Sequence, residues 1–467
     1  MSRVLAWFRL VGIRLLGAIA RKYCVKHRPY IIGVSGSVGK SSCRMIVAQL
    51  CSQLLPSHYP VWTPQSNFNG EIGFSLSILG IDSFDQSRWG YTVLCYRIIK
   101  AYISPCPYRV AVLEYGVDTP GEMDFLLSIV KPHIGIFTKS DAVHSEQFGN
   151  PQRIATDDIK MVTAAKRAVF LNMDDTYARQ AQNLVNVDIF RYKSTGNEQT
   201  NETVYDCSWD EYRVSLDDSG LPQAHARISV KSFTYYVRIN LLGKETMGYV
   251  SVALACADLL LFHWEKKLAT DPNAEYSFHL TNLPSRLTFF HGKKSSLILD
   301  SSYNASPYSV RSILDTAYFL RSECYPGYNI LVVLGDMREL GTFSQAEHRK
   351  IAAPLSMIAN KIILVGQETK KYTLDELIKI GYPESSIFHF GTSVLARDFI
   401  LSLLDQDDHR WLIVVKGSQN TIFLEDIVVG ILANPLDQSL VCRQNMSWIK
   451  KKQQFYADAM KGYDKKI

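Results

Sequence analysis

Apolar and polar positions along the 467-residue chain follow two different periods. Tyr30-Ile31-Ile32-Gly33-Val34 is a short apolar run followed by a glycine-rich turn, and residues 42–55 carry apolar side chains at helical spacing. This predicts a strand, a loop and a helix in succession. Short apolar runs at 110–113, 134–138 and 168–172 alternate with helix-length stretches at 121–130 and 151–165. Such alternation predicts an α/β fold with a mostly parallel sheet covered by helices. Residues 195–231 are polar, with Asn, Asp, Ser and Gly clusters, and 232–242 alternate with period two. Residues 195–242 are therefore predicted as a peripheral β-rich extension. After Pro284 a second series of strands is predicted at 297–299, 330–334, 362–365 and 411–415, each separated by helix-length segments. That series predicts a second, Rossmann-like C-terminal domain.

The N-terminal residues 1–23 are apolar and basic, but Arg9 and Arg14 interrupt them. No stretch there reaches the roughly 20 apolar residues of a membrane span. On a helix, Arg3, Arg14 and Arg21 share one face while Trp7, Leu15 and Ile19 lie away from it, a pattern that suits peripheral contact with a membrane surface. Arg9 spoils the division, so docking on the protein's own surface is the preferred expectation.

With 47% hydrophobic residues, the chain has material for two or three cores. The formal charge of +6 is spread along it, which argues against nucleic acid as a partner and accommodates an anionic substrate. Nine scattered cysteines form no C-x-x-C pair, which disfavours zinc ribbons and disulfide frameworks and points to the cytoplasm, free or at the membrane surface.

The chemistry centres on Gly36-Ser37-Val38-Gly39-Lys40-Ser41-Ser42, between the first strand and its helix. Backbone N–H groups and a helix N-terminus at that position suit a phosphate chain, with Lys40 on the β/γ-phosphates and Ser41 on Mg²⁺. The spacing is one form shorter than the full P-loop, because Val34 stands where its first glycine would be. Glu114 and His144 follow consecutive predicted strands, so both are expected near Ser41 as metal ligands and catalytic groups.

Gly36–Ser42 resembles the ATP-binding loop of the Mur ligases, and further stretches agree in order. The run from Thr63 through Asn67 and Asn69 to Gly73 is similar to the family's asparagine-rich loop. Glu114-Tyr115-Gly116 with Pro120-Gly121-Glu122 is similar to its acidic strand end. The segment from Thr138 through His144 to Gly149 resembles its histidine segment, and Asn172-Met173-Asp174-Asp175 its Asn-x-Asp-Asp turn. Asp300 to Pro307, Leu334 to Gly341 and Val415-Lys416-Gly417-Ser418 resemble the signature of the member that adds D-alanyl-D-alanine.

The resemblance implies a central ATP-binding domain at 30–285, a ligase domain at 286–467 and an amphipathic helical segment at 1–29. It implies an ADP-forming peptide ligase of peptidoglycan precursor synthesis, with ATP and Mg²⁺ as cofactors. The partners implied are a nucleotide-linked or lipid-linked muramyl peptide and a D-alanyl-D-alanine-like amine. Arg286 and Asp300 would contact the nucleotide, and Asn67, Asn69, Asn304, Ser306 and Lys416 the substrates.

The sequence departs from the family pattern in several places. Where the family carries a metal-holding lysine, Ile154-Ala155-Thr156-Asp157 leads to Asp158, which becomes the candidate carboxylate ligand. Lys160, two positions on, would point elsewhere on a helix. The family's His-Asn-x-x-Asn run is Glu245-Thr246-Met247-Gly248-Tyr249 here, so groups for adenine are expected from elsewhere. Only about 30 residues precede the first strand, too few for the adding member's separate uridine-binding domain. Alternative readings are a folylpolyglutamate-synthase-like ligase with another donor and acceptor, or a non-catalytic nucleotide-binding partner subunit. A P-loop motor is disfavoured by the short loop.

Overall fold

The computed structural model describes residues 3–65, 70–84, 88–141, 151–195, 204–271, 274–419 and 421–464. Asn67, Asn69 and His144 lie outside these described residues.

The first sheet comprises β1 (Tyr30–Ser35), β2 (Val61–Trp62), β3 (Val110–Glu114), β4 (Ile134–Phe137), β5 (Ala168–Asn172), β6 (Asp188–Tyr192), β7 (Cys207–Leu216), β8 (Pro222–Val230), β9 (Phe233–Ile239) and β10 (Glu275–Phe278). Their order is β10-β9-β8-β7-β6-β5-β4-β1-β3-β2. Strands β1 to β6 pair in parallel, with Val34 opposite Glu114 and Ser35 opposite Phe137. Apart from half-buried Tyr30 at the start of β1, the central strands are buried along their length, as sheets covered on both faces require.

Residues 207–230, inside the stretch expected to be polar, form β7 and β8. Their join to β6 at Tyr192 and Cys207 makes them part of the same sheet. In β8 the period is two, with Pro222, Ala224, Ala226, Ile228 and Val230 facing the core. Three of these are small or cyclic residues, which weakened the apolar signal in the sequence.

Helices α1 (Arg3–His27), α2 (Lys40–Leu54), α3 (Glu71–Ile78), α4 (Arg88–Ile103), α5 (Glu122–Ile129), α6 (Pro151–Thr163) and α7 (Lys244–Glu265) surround this sheet. On one face, Ile46, Val47 and Leu50 of α2 share a core with Val250, Ala253 and Leu254 of α7. On the other, α1, α3, α5 and α6 enclose a second core with Phe74, Tyr115, Leu126 and Met161. In α1, Ile13, Ala20 and Tyr23 are buried, and Gly17 lets Phe125 approach so closely that a Cβ would stand 2.9 Å from its ring. The helix is thus docked on its own protein through this face.

The second sheet comprises β11 (Thr288–His291), β12 (Leu297–Ser301), β13 (Asn329–Gly335), β14 (Lys361–Val365), β15 (Ile387–Phe390) and β16 (Trp411–Lys416), in the order β11-β12-β16-β13-β14-β15. Only β11 pairs antiparallel. The two edge strands β11 and β15 were not read from the sequence, and β15 is only half-buried. Helix α8 (Pro307–Phe319) starts at the C-terminal end of β12, beyond a turn closed by Ser306.

Candidate active site

Strand β1 runs unbroken through Val34 to Ser35, so the phosphate-type turn begins only at Gly36. A strand residue paired to Glu114 needs no glycine, which accounts for Val34 in the shortened loop. Gly36 and Gly39 have φ of 120° and 86°, a region that L side chains avoid. A Cβ on Gly36 would overlap Thr138 Oγ1, and one on Gly39 would overlap the Tyr249 hydroxyl. The Lys139 carbonyl accepts from Ser37 N at 2.7 Å and Val38 N at 3.1 Å, pinning the loop to the end of β4. Lys40 Nζ donates to the carbonyls of Gly36 and Ser37, so the ammonium lies over the loop. Helix α2 then starts with no side-chain cap, leaving its positive end and first-turn N–H groups at the cleft.

Strand order brings Glu114 beside this loop. The carboxylate is buried, accepts from Ser41 Oγ at 2.9 Å and lies 3.7 Å from Arg44 Nε. Arg44 is itself buried and donates to Thr63 Oγ1 and the Pro64 carbonyl, so one guanidinium organises both the acidic strand end and the start of the asparagine-rich loop. On α6, Asp158 faces the loop: its carboxylate is 3.4 Å from Ser37 Oγ and its carbonyl accepts from Ser35 Oγ at 3.0 Å. Lys160 points away, between Asp124 at 2.8 Å and Asp157 at 2.7 Å. Paired hydroxyl and carboxylate oxygens at Ser41 and Glu114 form a hard donor set that fits Mg²⁺.

A cleft of about 420 Å³ runs from this loop to the second sheet. Ser37 to Ser42 and Glu114 line one wall, Asn304, Ser306 and Lys416 line the other, and Arg286 stands between them. Arg286 is flanked by Ser285 and Leu287, both at φ 55°, so the crossover between units is made in an unusual backbone conformation. Its guanidinium reaches Ser41 Oγ at 3.4 Å and lies 4.3 Å over the Tyr303 ring.

Asp300 departs from expectation. It is fully buried behind the wall, where one oxygen accepts from Ser302 N at 2.9 Å, and it does not line the cleft. Burial raises its carboxyl above the ordinary range. Lys416 is pushed down to about 7, mainly by burial, with Arg286 adding to the effect and Asp300 opposing it. Its ammonium donates to Ser301 O at 3.2 Å, Ser301 Oγ at 3.1 Å and the Asn304 carbonyl.

Glu245, Thr246 and Tyr249, in the first turns of α7, line the cleft where the sequence showed only a departure from the family's run. Asp118, Tyr308 and Gln419 also line it and were missed. Tyr308 follows Ser306-Pro307 directly, which was its one available signal. Other motif residues act as stitches. Asn172 Nδ2 donates to the Thr138 carbonyl at 2.6 Å, and Asp175 accepts from Ser140 N at 3.0 Å, fixing the chain after β4. Ser418 Oγ accepts from Arg338 N at 2.9 Å and donates to Ala305 O at 3.2 Å, so the three late motifs converge at the same sheet edge.

A P-loop facing the strand ends of a second α/β unit, with an arginine at the crossover, is the arrangement of a two-domain nucleotide-dependent ligase. The Mur ligase middle-domain profile matches residues 34–257, and that of the Mur ligase glutamate ligase domain matches residues 285–419. The chain belongs to the Mur ligase family. It is 22% identical over 422 residues to the UDP-N-acetylmuramoyl-tripeptide–D-alanyl-D-alanine ligase of Bacillus subtilis, covering 90% of this chain and 80% of that one. It is 25% identical over 409 residues to the ligase of that name from Borreliella burgdorferi, covering 87% and 76%. The crystal structure of MurF from Acinetobacter baumannii shares the fold with a TM-score of 0.68 at 19% identity, covering 89% of this chain and 80% of that one. That of the Thermotoga maritima MurF ligase in complex with ADP gives 0.66 at 17% identity, covering 92% and 84%.

Proposed function

We propose that this protein is an ATP-dependent, ADP-forming peptide ligase that joins D-alanyl-D-alanine or a similar amine to the peptide carboxylate of a muramyl donor, nucleotide-linked or lipid-linked, in the cytoplasm. One observation carries the reading: a single cleft unites Lys40, Ser41 and Glu114 with Asn304, Ser306 and Lys416. The named activity of the relatives supports it.

In this reading the first-turn N–H groups of α2 and Lys40 hold the phosphate chain of ATP and offset charge as the γ-phosphoryl passes to the donor carboxylate. Mg²⁺, when bound by Ser41 and Glu114 with His144, supplies further charge compensation. Asp158 would be the candidate carboxylate for a second ion, directly or through a water. Glu245, Thr246 and Tyr249 form the wall for the base, and Arg286 tracks the nucleotide from the crossover. Asn67 and Asn69 are assigned to the donor, while Asn304, Ser306 and Lys416 orient the amine that displaces phosphate from the acyl phosphate. Asp300 acts from behind, through Lys416, instead of touching ATP.

The test is ADP release by the purified chain given ATP, Mg²⁺, a uridine-diphospho muramyl tripeptide and D-alanyl-D-alanine, each omitted in turn, with Lys40→Ala as control. Release that needs both substrates and vanishes in the variant is expected. ATP binding without release under all combinations would overturn the assignment of substrates and leave a nucleotide-binding partner role.

A further inference from the structure

Helix α4 has two apolar faces. Leu94 is buried, and Ile98 and Ala101 pack against the second core. The opposite side carries Trp89, Val93, Tyr96, Ile99 and Ile103, with Trp89 75% exposed and Ile103 69% exposed. At 100° per residue these five fall within one arc of about 120°, running the length of the helix. Helices apolar all round belong in interiors, so a surface helix of this kind presents a face made to be covered.

Charge says what covers it. Neither α4 nor α1 contains a single Asp or Glu, so all 45 acidic residues of the chain lie elsewhere. Lys100 is exposed and lies on the apolar arc itself. Its long stem can lie along apolar surface while the ammonium reaches outward. Next to α4, Lys26 of α1 donates to the Tyr102 carbonyl at 3.0 Å, joining the C-terminal ends of the two helices. The exposed stripe of α1 interleaves Val11, Leu15 and Val25 with Arg14, Arg21, Lys22 and Lys26. Tryptophan, tyrosine and aliphatic side chains on two helices whose own charges are all basic match the interface of an anionic bilayer, where apolar insertion and attraction to acidic headgroups act together.

We infer that α4, flanked by the exposed stripe of α1, docks this protein on the surface of an anionic membrane. The inference is independent of which amine or donor the cleft takes. It extends the expectation attached to the N-terminal helix, whose buried face is occupied by the protein's own core.

The experiment is flotation of the full chain with vesicles of phosphatidylglycerol and phosphatidylcholine, against vesicles of phosphatidylcholine alone. The expected result is co-flotation with the anionic vesicles that salt weakens. The triple variant Trp89→Ser, Tyr96→Ser, Ile99→Ser should partition about tenfold less or weaker still, with unchanged ADP release in vesicle-free solution. Should the triple variant lose its melting transition, Lys100→Glu replaces it and must lower partition onto anionic vesicles alone. No co-flotation of the parent chain, or equal partition of parent and folded variants, overturns the inference. So does a parent that is dimeric in solution and becomes monomeric in the triple variant, which assigns the face to a second copy.

Discussion

The Tyr308 hydroxyl donates to Glu245 Oε1 at 2.9 Å, joining the first turn of α8 to the first turn of α7 across the cleft. The same residue's N–H donates to Asp141 Oδ2 at 3.3 Å, and its ring lies 4.0 Å from Lys139 Nζ. One residue of the second unit therefore reaches three residues of the first at the mouth of the nucleotide cleft, two of them through its side chain. Tyr308→Phe removes one hydrogen bond and keeps the ring contact, so ATP binding is expected to weaken about two- to tenfold. Tyr308→Ala should lose more. Calorimetric titration with a non-hydrolysed ATP analogue reads this directly, and equal affinities in all three proteins would show that the contact does not hold the units together.

Gly39→Ala is expected to abolish nucleotide binding and to lower the melting temperature. The left-handed φ of 86° costs an alanine about 1–2 kcal/mol, and the new methyl would also collide with the Tyr249 hydroxyl. Adding Tyr249→Phe to that variant removes the overlap with the hydroxyl and leaves a tight 3.1 Å approach to the ring together with the backbone cost. The double variant should recover part of the melting temperature, and no recovery would place the effect in the backbone and the remaining ring contact rather than in the hydroxyl.

Glu114→Ala should be destabilising as well as inactive. The substitution leaves Arg44, 1% exposed, with its charge unpaired in the interior, at a cost of about 3–5 kcal/mol. Denaturant melts of Glu114→Ala and the double variant Arg44→Met, Glu114→Ala separate the two effects: the double variant should regain stability without regaining ADP release. Equal stability of Glu114→Ala and the parent would show that the pair is not coupled.

Stability should depend on Lys416 in a defined pH window. Its folded value, lowered to about 7 from the ordinary 10.5, means the folded chain binds fewer protons there than the unfolded chain. Stability therefore rises with pH between those values, and below pH 7 the full cost of burying the ammonium is present. Lys416→Met is expected to be more stable than the parent below pH 7, with the gap closing as pH approaches 10.5. A gap that stays constant across the window would show that the lysine does not titrate there. Activity should fall in the variant throughout, since the amine-facing wall loses its only lysine among the described residues.

The two α/β series and the loop at Gly36–Ser42 were legible because their signals are local. A run such as Val110–Leu113 is apolar throughout because helices cover both faces of the strand, and a turn needing φ above zero selects glycine at Gly36 and Gly39 whatever lies around it. The strands at 207–230 were obscured, since the core face of β8 is built largely from Ala224, Ala226 and Pro222, whose burial depends on α7 lying against that sheet.

By itself the sequence determined the class of fold, the P-loop, and the residue types able to hold phosphate and a hard cation. Periodicity and backbone stereochemistry act within a few residues. Only the tertiary structure set Asp158, the candidate carboxylate at the family's lysine position, against Ser35 at the end of β1 and Ser37 of the loop. It also placed Asp300 behind the wall and Tyr308 in the cleft. Each of those outcomes is set by groups more than a hundred positions away: Asp158 is placed by Ser35 and Ser37, Asp300 shares its burial with Lys416, and Tyr308 is held by Lys139 and Asp141. Burial and electrostatic fields are properties of that three-dimensional neighbourhood, and no spacing along the chain encodes them.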